Sequence, residues 1–203
     1  MSFNLKRGEK VLILSNNSRA CNYFYDCISG SLEATSGSYS WGITTSFGYL
    51  PLDNSSFFNN KMSLVDWLRQ WANTEEEKEE LYIRGFLGKM LFSGDEALKS
   101  CDVLSGGERV RCMLSKIMMG NPNVLIIDEP TNHLDLESIT TFNNSLINFK
   151  GTVLMSTNDI AFANSVSNRI IEITPNGLID SYLPFDEYVK DEKTIRQREV
   201  LYK

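Results

Sequence analysis

The sequence predicts an α/β protein with a mostly parallel sheet flanked by helices. Three observations predict it. Short apolar-rich runs recur at residues 11–14, 124–127, 152–156 and 169–173, and each reads as a strand. The run Val124-Leu125-Ile126-Ile127 is apolar throughout, as a strand covered on both faces requires. Segments of helical periodicity lie between these runs, and alternating strands and helices imply parallel pairing through crossovers.

The elements follow in order. Residues 11–14 come after a turn at Gly8, and residues 44–50, ended by Pro51, read as a second strand. Ser63 is placed to cap a helix in which Leu64, Val65, Leu68 and Trp71 share a face. Glu75-Glu76-Glu77 and Glu79-Glu80 read as a solvated helix face. Residues 105–119 are the clearest helix. Val110, Met113, Leu114, Ile117 and Met118 form its apolar stripe, Ser105 and Glu108 match a capping box, and Gly120-Asn121-Pro122 stops it. Ile139, Phe142, Leu146 and Phe149 mark another helix. Pro175-Asn176-Gly177 is a turn that closes a hairpin onto Leu178-Ile179. The polar tail from Asp186 predicts a C-terminal helix that frays. Residues 1–203 read as a single domain, with a small helical lobe over roughly residues 59–119 and the α/β core in the remainder.

Composition narrows the function. The 203 residues are 42% hydrophobic and 23% charged, which suits one domain with a real core and excludes wholesale disorder. A net charge of -6 argues against a broad nucleic-acid-binding face. Cys21, Cys27, Cys101 and Cys112 form no CxxC pair, and His133 is the only histidine, so no Cys/His zinc cluster is available. Reduced thiols in a cytoplasmic protein are expected. No apolar run approaches the roughly 18–20 residues of a membrane span, so the chain has no membrane segment of its own. The first ten residues are too polar for a signal peptide.

Two motifs carry chemistry. Asp128 ends a buried strand, where a carboxylate can hold Mg²⁺, and Glu129 follows it, pointing elsewhere, as a general base should. Ser105, Gly106, Gly107 and Glu108 open a helix whose free N–H groups and dipole form an anion site.

Leu104-Ser105-Gly106-Gly107-Glu108 followed by Asp128-Glu129-Pro130-Thr131-Asn132-His133-Leu134-Asp135 resembles an ATP-binding cassette. The likeness covers nearly the whole chain and is to the C-terminal cassette of bacterial ABC-F proteins, soluble two-cassette ATPases that act on ribosomes. Val65-Asp66-Trp67-Leu68-Arg69-Gln70, residues 84–94, residues 170–177 and the pair Asn132-His133 carry it. The resemblance implies a P-loop NTPase-like fold, ATP and Mg²⁺ as cofactors, and a second cassette as partner. It implies Glu129 as general base, Asp128 as Mg²⁺ ligand, residues 105–108 as a signature used in trans, and Asp135 in a dimer-contact loop. It also implies an N-terminal strand pair ahead of Met1, so that the chain begins within that sheet.

The pattern then breaks. A Gly-x-x-Gly-x-Gly-Lys-Thr type of phosphate loop is expected after Leu14, and the chain reads Ser15-Asn16-Asn17-Ser18-Arg19-Ala20-Cys21-Asn22. Ser15 and Ser18 stand for glycines, where a Cβ is costly at positive φ. Cys21 stands for the lysine and Asn22 for the Mg²⁺-binding hydroxyl. Phe47 stands where a glutamine is expected, and Asn158 where a histidine should meet the γ-phosphate. Losing the lysine alone removes a contact worth about 1.5–3 kcal/mol, one to two orders of magnitude in affinity. The expectation is little or no MgATP binding at this chain's own loop. Three readings stay open: a degenerate half that lends its signature to a partner, a weak ATPase working through Glu129, and a non-catalytic interaction module or truncated remnant.

Overall fold

The computed structural model describes residues 2–203. Met1 lies outside the described residues, and so does the side chain of Ser18.

Among the described residues six strands form one sheet: β1 (Lys10–Leu14), β2 (Phe47–Leu50), β3 (Val124–Asp128), β4 (Thr152–Ser156), β5 (Arg169–Thr174) and β6 (Gly177–Ser181). Their spatial order is β2-β3-β4-β1-β5-β6. All neighbours are parallel except β5 and β6, the hairpin predicted around Gly177. The fold class read from the sequence is the one observed.

The strands are apolar on both faces because both are covered. Leu12, Leu125, Ile127, Val153, Met155 and Ile170 point into the larger core. Val11, Ile13, Val124, Ile126, Leu154 and Ile171 point into the smaller one. The smaller core is closed by α1 (Ser18–Ile28), through Cys21 and Tyr25. The larger core takes α2 (Leu64–Arg69), α3 (Glu80–Lys89), α4 (Gly106–Met119), α5 (Leu136–Asn148) and α6 (Ile160–Val166). Two further helices follow the sheet, α7 (Phe185–Tyr188) and α8 (Glu192–Leu201).

The caps behave as predicted at α2, where Ser63 accepts from Asp66 N–H, and at α4, where Ser105 and Glu108 form the full box. Three expectations need correction. The second strand starts at Phe47, because residues 44–46 are spent on the turn that bonds Asn123. The acidic run is not one continuous helix face: Glu76–Lys78 form a 3₁₀ turn, only Glu80 enters α3, and all but the half-buried Glu77 are exposed. The C-terminal helix, expected to fray, is tied down near its end. Arg198 and Tyr202 both bind the buried Glu172, which also takes the Tyr188 hydroxyl at 2.6 Å. Among the described residues, no helix is long and apolar enough to cross a membrane.

Candidate nucleotide site

Open α/β sheets bind ligands beyond the carboxyl ends of their strands. Here that edge brings together the ends of β1, β3 and β4, because Asp128 pairs with Ser156 and β1 pairs with β4. A large concave space lies elsewhere. An open cleft of about 1420 Å³, lined by Phe3, Lys6, Arg7, Trp41, Val124 and Thr152, lies at the opposite end of the strands.

Only Ser15, Asn16 and Asn17 separate β1 from α1. The helix starts three residues before Cys21, so the expected phosphate loop has been drawn into its first turn. Four of its N–H groups are spent inside the chain. Asn17 N donates to Ser15 Oγ (3.2 Å), Arg19 N to Asn17 Oδ1 (3.1 Å) and Ala20 N to the Asn17 carbonyl (2.9 Å). Asn16 N reaches the Tyr202 hydroxyl at 3.3 Å. The strain expected at Ser15 and Ser18 is avoided. Among the described non-glycine residues, positive φ occurs only at Leu91, Asn121 and Glu129. The rebuilt turn needs no glycine, and it offers no cradle.

Asp128 is 3% exposed, and protein donors hold both its oxygens. Asn22 Nδ2 donates to Oδ2 at 2.6 Å and Ser156 Oγ to Oδ1 at 2.5 Å. Burial pushes its carboxyl up from the usual range, against these two donors, and nearby Asp26 adds to the rise. Glu129 is half-buried in the left-handed region (φ 46°), and its carboxylate accepts from the Asn158 N–H at 3.1 Å. Burial raises its carboxyl as well, opposed by Asn158 and aided by the Asp128 charge. Cys21 is 6% exposed, and burial, with the charges of Asp128 and Glu129, pushes its thiol up to about 12. A neutral thiol cannot replace the lysine's cation. The residues of this edge therefore fit neither a triphosphate nor Mg²⁺: four N–H groups of the turn are taken, Cys21 supplies no cation, and the carboxylate of Asp128 is buried with a protein donor on each oxygen.

The signature end is arranged differently. Ser105 Oγ accepts from Glu108 N at 3.3 Å, which leaves its own O–H free to donate. Glu108 accepts from Ser105 N at 2.9 Å and from Lys99 at 2.5 Å. The N–H groups of Gly106 and Gly107 occupy the first turn, where the helix itself offers no acceptor. Both glycines face the turn Pro130–His133 that follows Glu129. A Cβ on Gly107 would sit 2.4 Å from the His133 carbonyl oxygen, and one on Gly106 would sit 3.2 Å from the His133 ring. Asp135 is exposed and caps α5, accepting from Ser138 N at 2.8 Å, which holds its carboxyl below the usual range.

The glutamine position needs correction. Phe47 opens β2 opposite Val124, at the far end of the sheet from Asp128. The chain leaves the site end of β2 after Leu50, so Pro51 and Leu52 stand there, and Leu52 is 41% exposed. The sequence reading also missed the partners of the lost loop. The Asn22 to Asp128 bond joins residues 106 apart in the chain, and Asn16 to Tyr202 spans 186. No local pattern signals either.

Comparison with known proteins fits this geometry. The ABC transporter family model matches residues 1–132, well over half of the chain. The chain is 49% identical over 203 residues to the uncharacterized ABC transporter ATP-binding protein YkpA of Bacillus subtilis (strain 168), covering 100% of this chain and 37% of that protein. It is 27% identical over 194 residues to the energy-dependent translational throttle protein EttA of Escherichia coli (strain K12), covering 94% and 35%. The chain thus spans about a third of the length of these curated relatives. In fold it resembles a dimeric ATP-binding cassette solved in a post-hydrolysis state with ADP and Pi, with a TM-score of 0.67 at 19% identity over 84% of this chain and 83% of that one. With the strand end, the signature helix and the sheet order all in place, the chain belongs to the ABC transporter family, as an ATP-binding cassette domain.

Proposed function

We propose that this domain is the degenerate half of an ABC-F-like cassette pair. It lends residues 105–108 to a composite ATP site whose triphosphate and Mg²⁺ are held by a second cassette, in the same longer protein or in another chain. The pair is a soluble, cytoplasmic, ribosome-associated ATPase. The observation that carries this reading is the contrast between the two phosphate-facing elements. The turn before α1 has spent the N–H groups of Asn16, Asn17, Arg19 and Ala20 internally, while α4 keeps those of Gly106 and Gly107, beside a hydroxyl free to donate. Asp135, exposed at the head of α5, helps to align the pair. The role in translation rests on the likeness to EttA, whose name describes a translational throttle, and on the pair Asn132-His133.

A second reading keeps one observation in its favour. Glu129 remains half-buried at the site edge and is held only by the Asn158 N–H among the described residues, so a weak ATPase working through it retains its base.

Calorimetry with MgATP separates the readings. The chain alone gives no binding heat. Mixed with an intact-loop cassette whose catalytic glutamate is silenced, it tightens that cassette's MgATP binding, and Ser105→Arg in this chain abolishes the gain. Submillimolar binding by the chain alone favours the weak ATPase. No effect in either arm favours a non-catalytic module.

A further inference from the structure

Cassettes of this family bring Mg²⁺ to the carboxylate that ends β3, and the surroundings of Asp128 do not suit that ion. Only the NH₂ end of an amide can donate to a carboxylate, so the orientation of Asn22 against Asp128 is fixed by chemistry. Mg²⁺ demands oxygen ligands at about 2.0–2.1 Å in octahedral array. The amide hydrogens take one lone-pair direction of Oδ2, and at the other Mg²⁺, which keeps several waters, meets no solvent. Oδ1 is engaged by the Ser156 hydroxyl, and Asp128 is closed to solvent. The neighbours supply no alternative set. Cys21 and Tyr25 are buried in the smaller core, and among the described residues no group of three or more His, Cys, Asp or Glu side chains could hold a metal.

The three bonded residues come from three elements. Asn22 lies in the second turn of α1, Asp128 is the last residue of β3 and Ser156 the last of β4. We propose that the Asn22 amide takes the place of the cation, so that Asn22, Asp128 and Ser156 form a metal-free cross-link fastening α1 to the ends of β3 and β4. Asp128 has become a structural carboxylate and Asn22 its positioning partner. The assignment concerns this joint alone and does not depend on whether residues 105–108 serve a partner's nucleotide.

Titrating Mn²⁺ into the full chain, with the free-ion EPR signal as readout, tests the proposal together with thermal melting. The wild-type protein leaves the free-Mn²⁺ signal undiminished and melts at the same temperature in EDTA and in millimolar Mn²⁺. Asn22→Asp replaces the donor with a second carboxylate. It lowers the melting temperature in EDTA by about 5–10 °C and recovers most of that loss in Mn²⁺. Asp128→Ala melts lower as well and shows no recovery. Submillimolar Mn²⁺ binding by the wild type, lost in Asp128→Ala, overturns the proposal, as does an Asn22→Asp variant that melts unchanged in EDTA. The wild-type arm needs no variant to fold. A negative calorimetric result with the partner cassette leaves it untouched, so the two readings fail separately.

Discussion

A methyl group on Gly107 would meet the His133 carbonyl oxygen at 2.4 Å, whereas one on Gly106 meets only the side chain of an exposed histidine. Backbone cannot yield as a surface side chain can. Gly107→Ala is therefore expected to cost about 1–3 kcal/mol, a fall of roughly 2–10 °C in melting temperature, and Gly106→Ala distinctly less. Thermal melts of the two variants check this, and equal losses would contradict it. The sequence made Ser105 and Glu108 legible as a capping box, because that pattern is local. It assigned the glycines to an anion site alone. Their packing against His133 joins positions 26 and 27 apart and leaves no trace in the spacing. The same holds for Asn22, which read as a lost hydroxyl and proves to be the donor that Asp128 needs.

At the scale of elements, α8 is the informative case. A polar segment at a chain end reads as loosely attached, yet Glu172 anchors it. Glu172 is buried and takes Arg198 at 2.8 Å and Tyr202 at 2.9 Å, besides Tyr188. Glu172→Gln keeps the shape and removes the charge. It is expected to destabilise the fold by about 2–3 kcal/mol, below the usual cost of breaking a buried pair, because the Arg198 side chain is 30% exposed and stays partly solvated. Hydrogen exchange checks it: amides of α8 lose protection first, while those of β3 and β4 keep theirs. Strands were legible where apolar runs are buried on both faces, as in β3. The start of β2 was not, since Thr44 and Thr45 have strand propensity and the turn they form is set by Asn123, far away in sequence. The early start of α1 was hidden in the same way. A phosphate-loop expectation masked the capping residue Asn17.

For the whole molecule, buried thiols and phenols set the alkaline limit. Burial pushes Cys21 from 9.0 up to about 12 and Cys101 to about 11, and burial with the Glu172 bond pushes Tyr202 from 10.0 to about 12. A raised folded value contributes stability fully below the unfolded value and loses it as pH rises through the folded one. Lys10 runs the other way. Burial, with Lys150, lowers it from 10.5 to about 8, so its contribution is present above 10.5 and lost as pH falls through 8. The acids outnumber it. The melting temperature is expected to fall steadily from pH 9 to 12, and Cys21→Ala to make that fall shallower. A melting temperature that holds constant over this window would contradict the assignment. The class of fold was legible at this scale, because alternating strands and helices admit few arrangements. The closure of the site edge was not, since it depends on contacts between the first loop, the third strand and the last helix.

That last helix has a mechanical meaning. A pull applied at Lys203 does not stretch a slack tail. Tyr202 and Arg198 pass it to Glu172, which pairs in register with Leu14 across the parallel strands. Two residues further on stands Asn16, whose N–H rests on the same tyrosine. The last helix and the loop between β1 and α1 are thus geared together through one buried carboxylate, and tension on either is felt by the other.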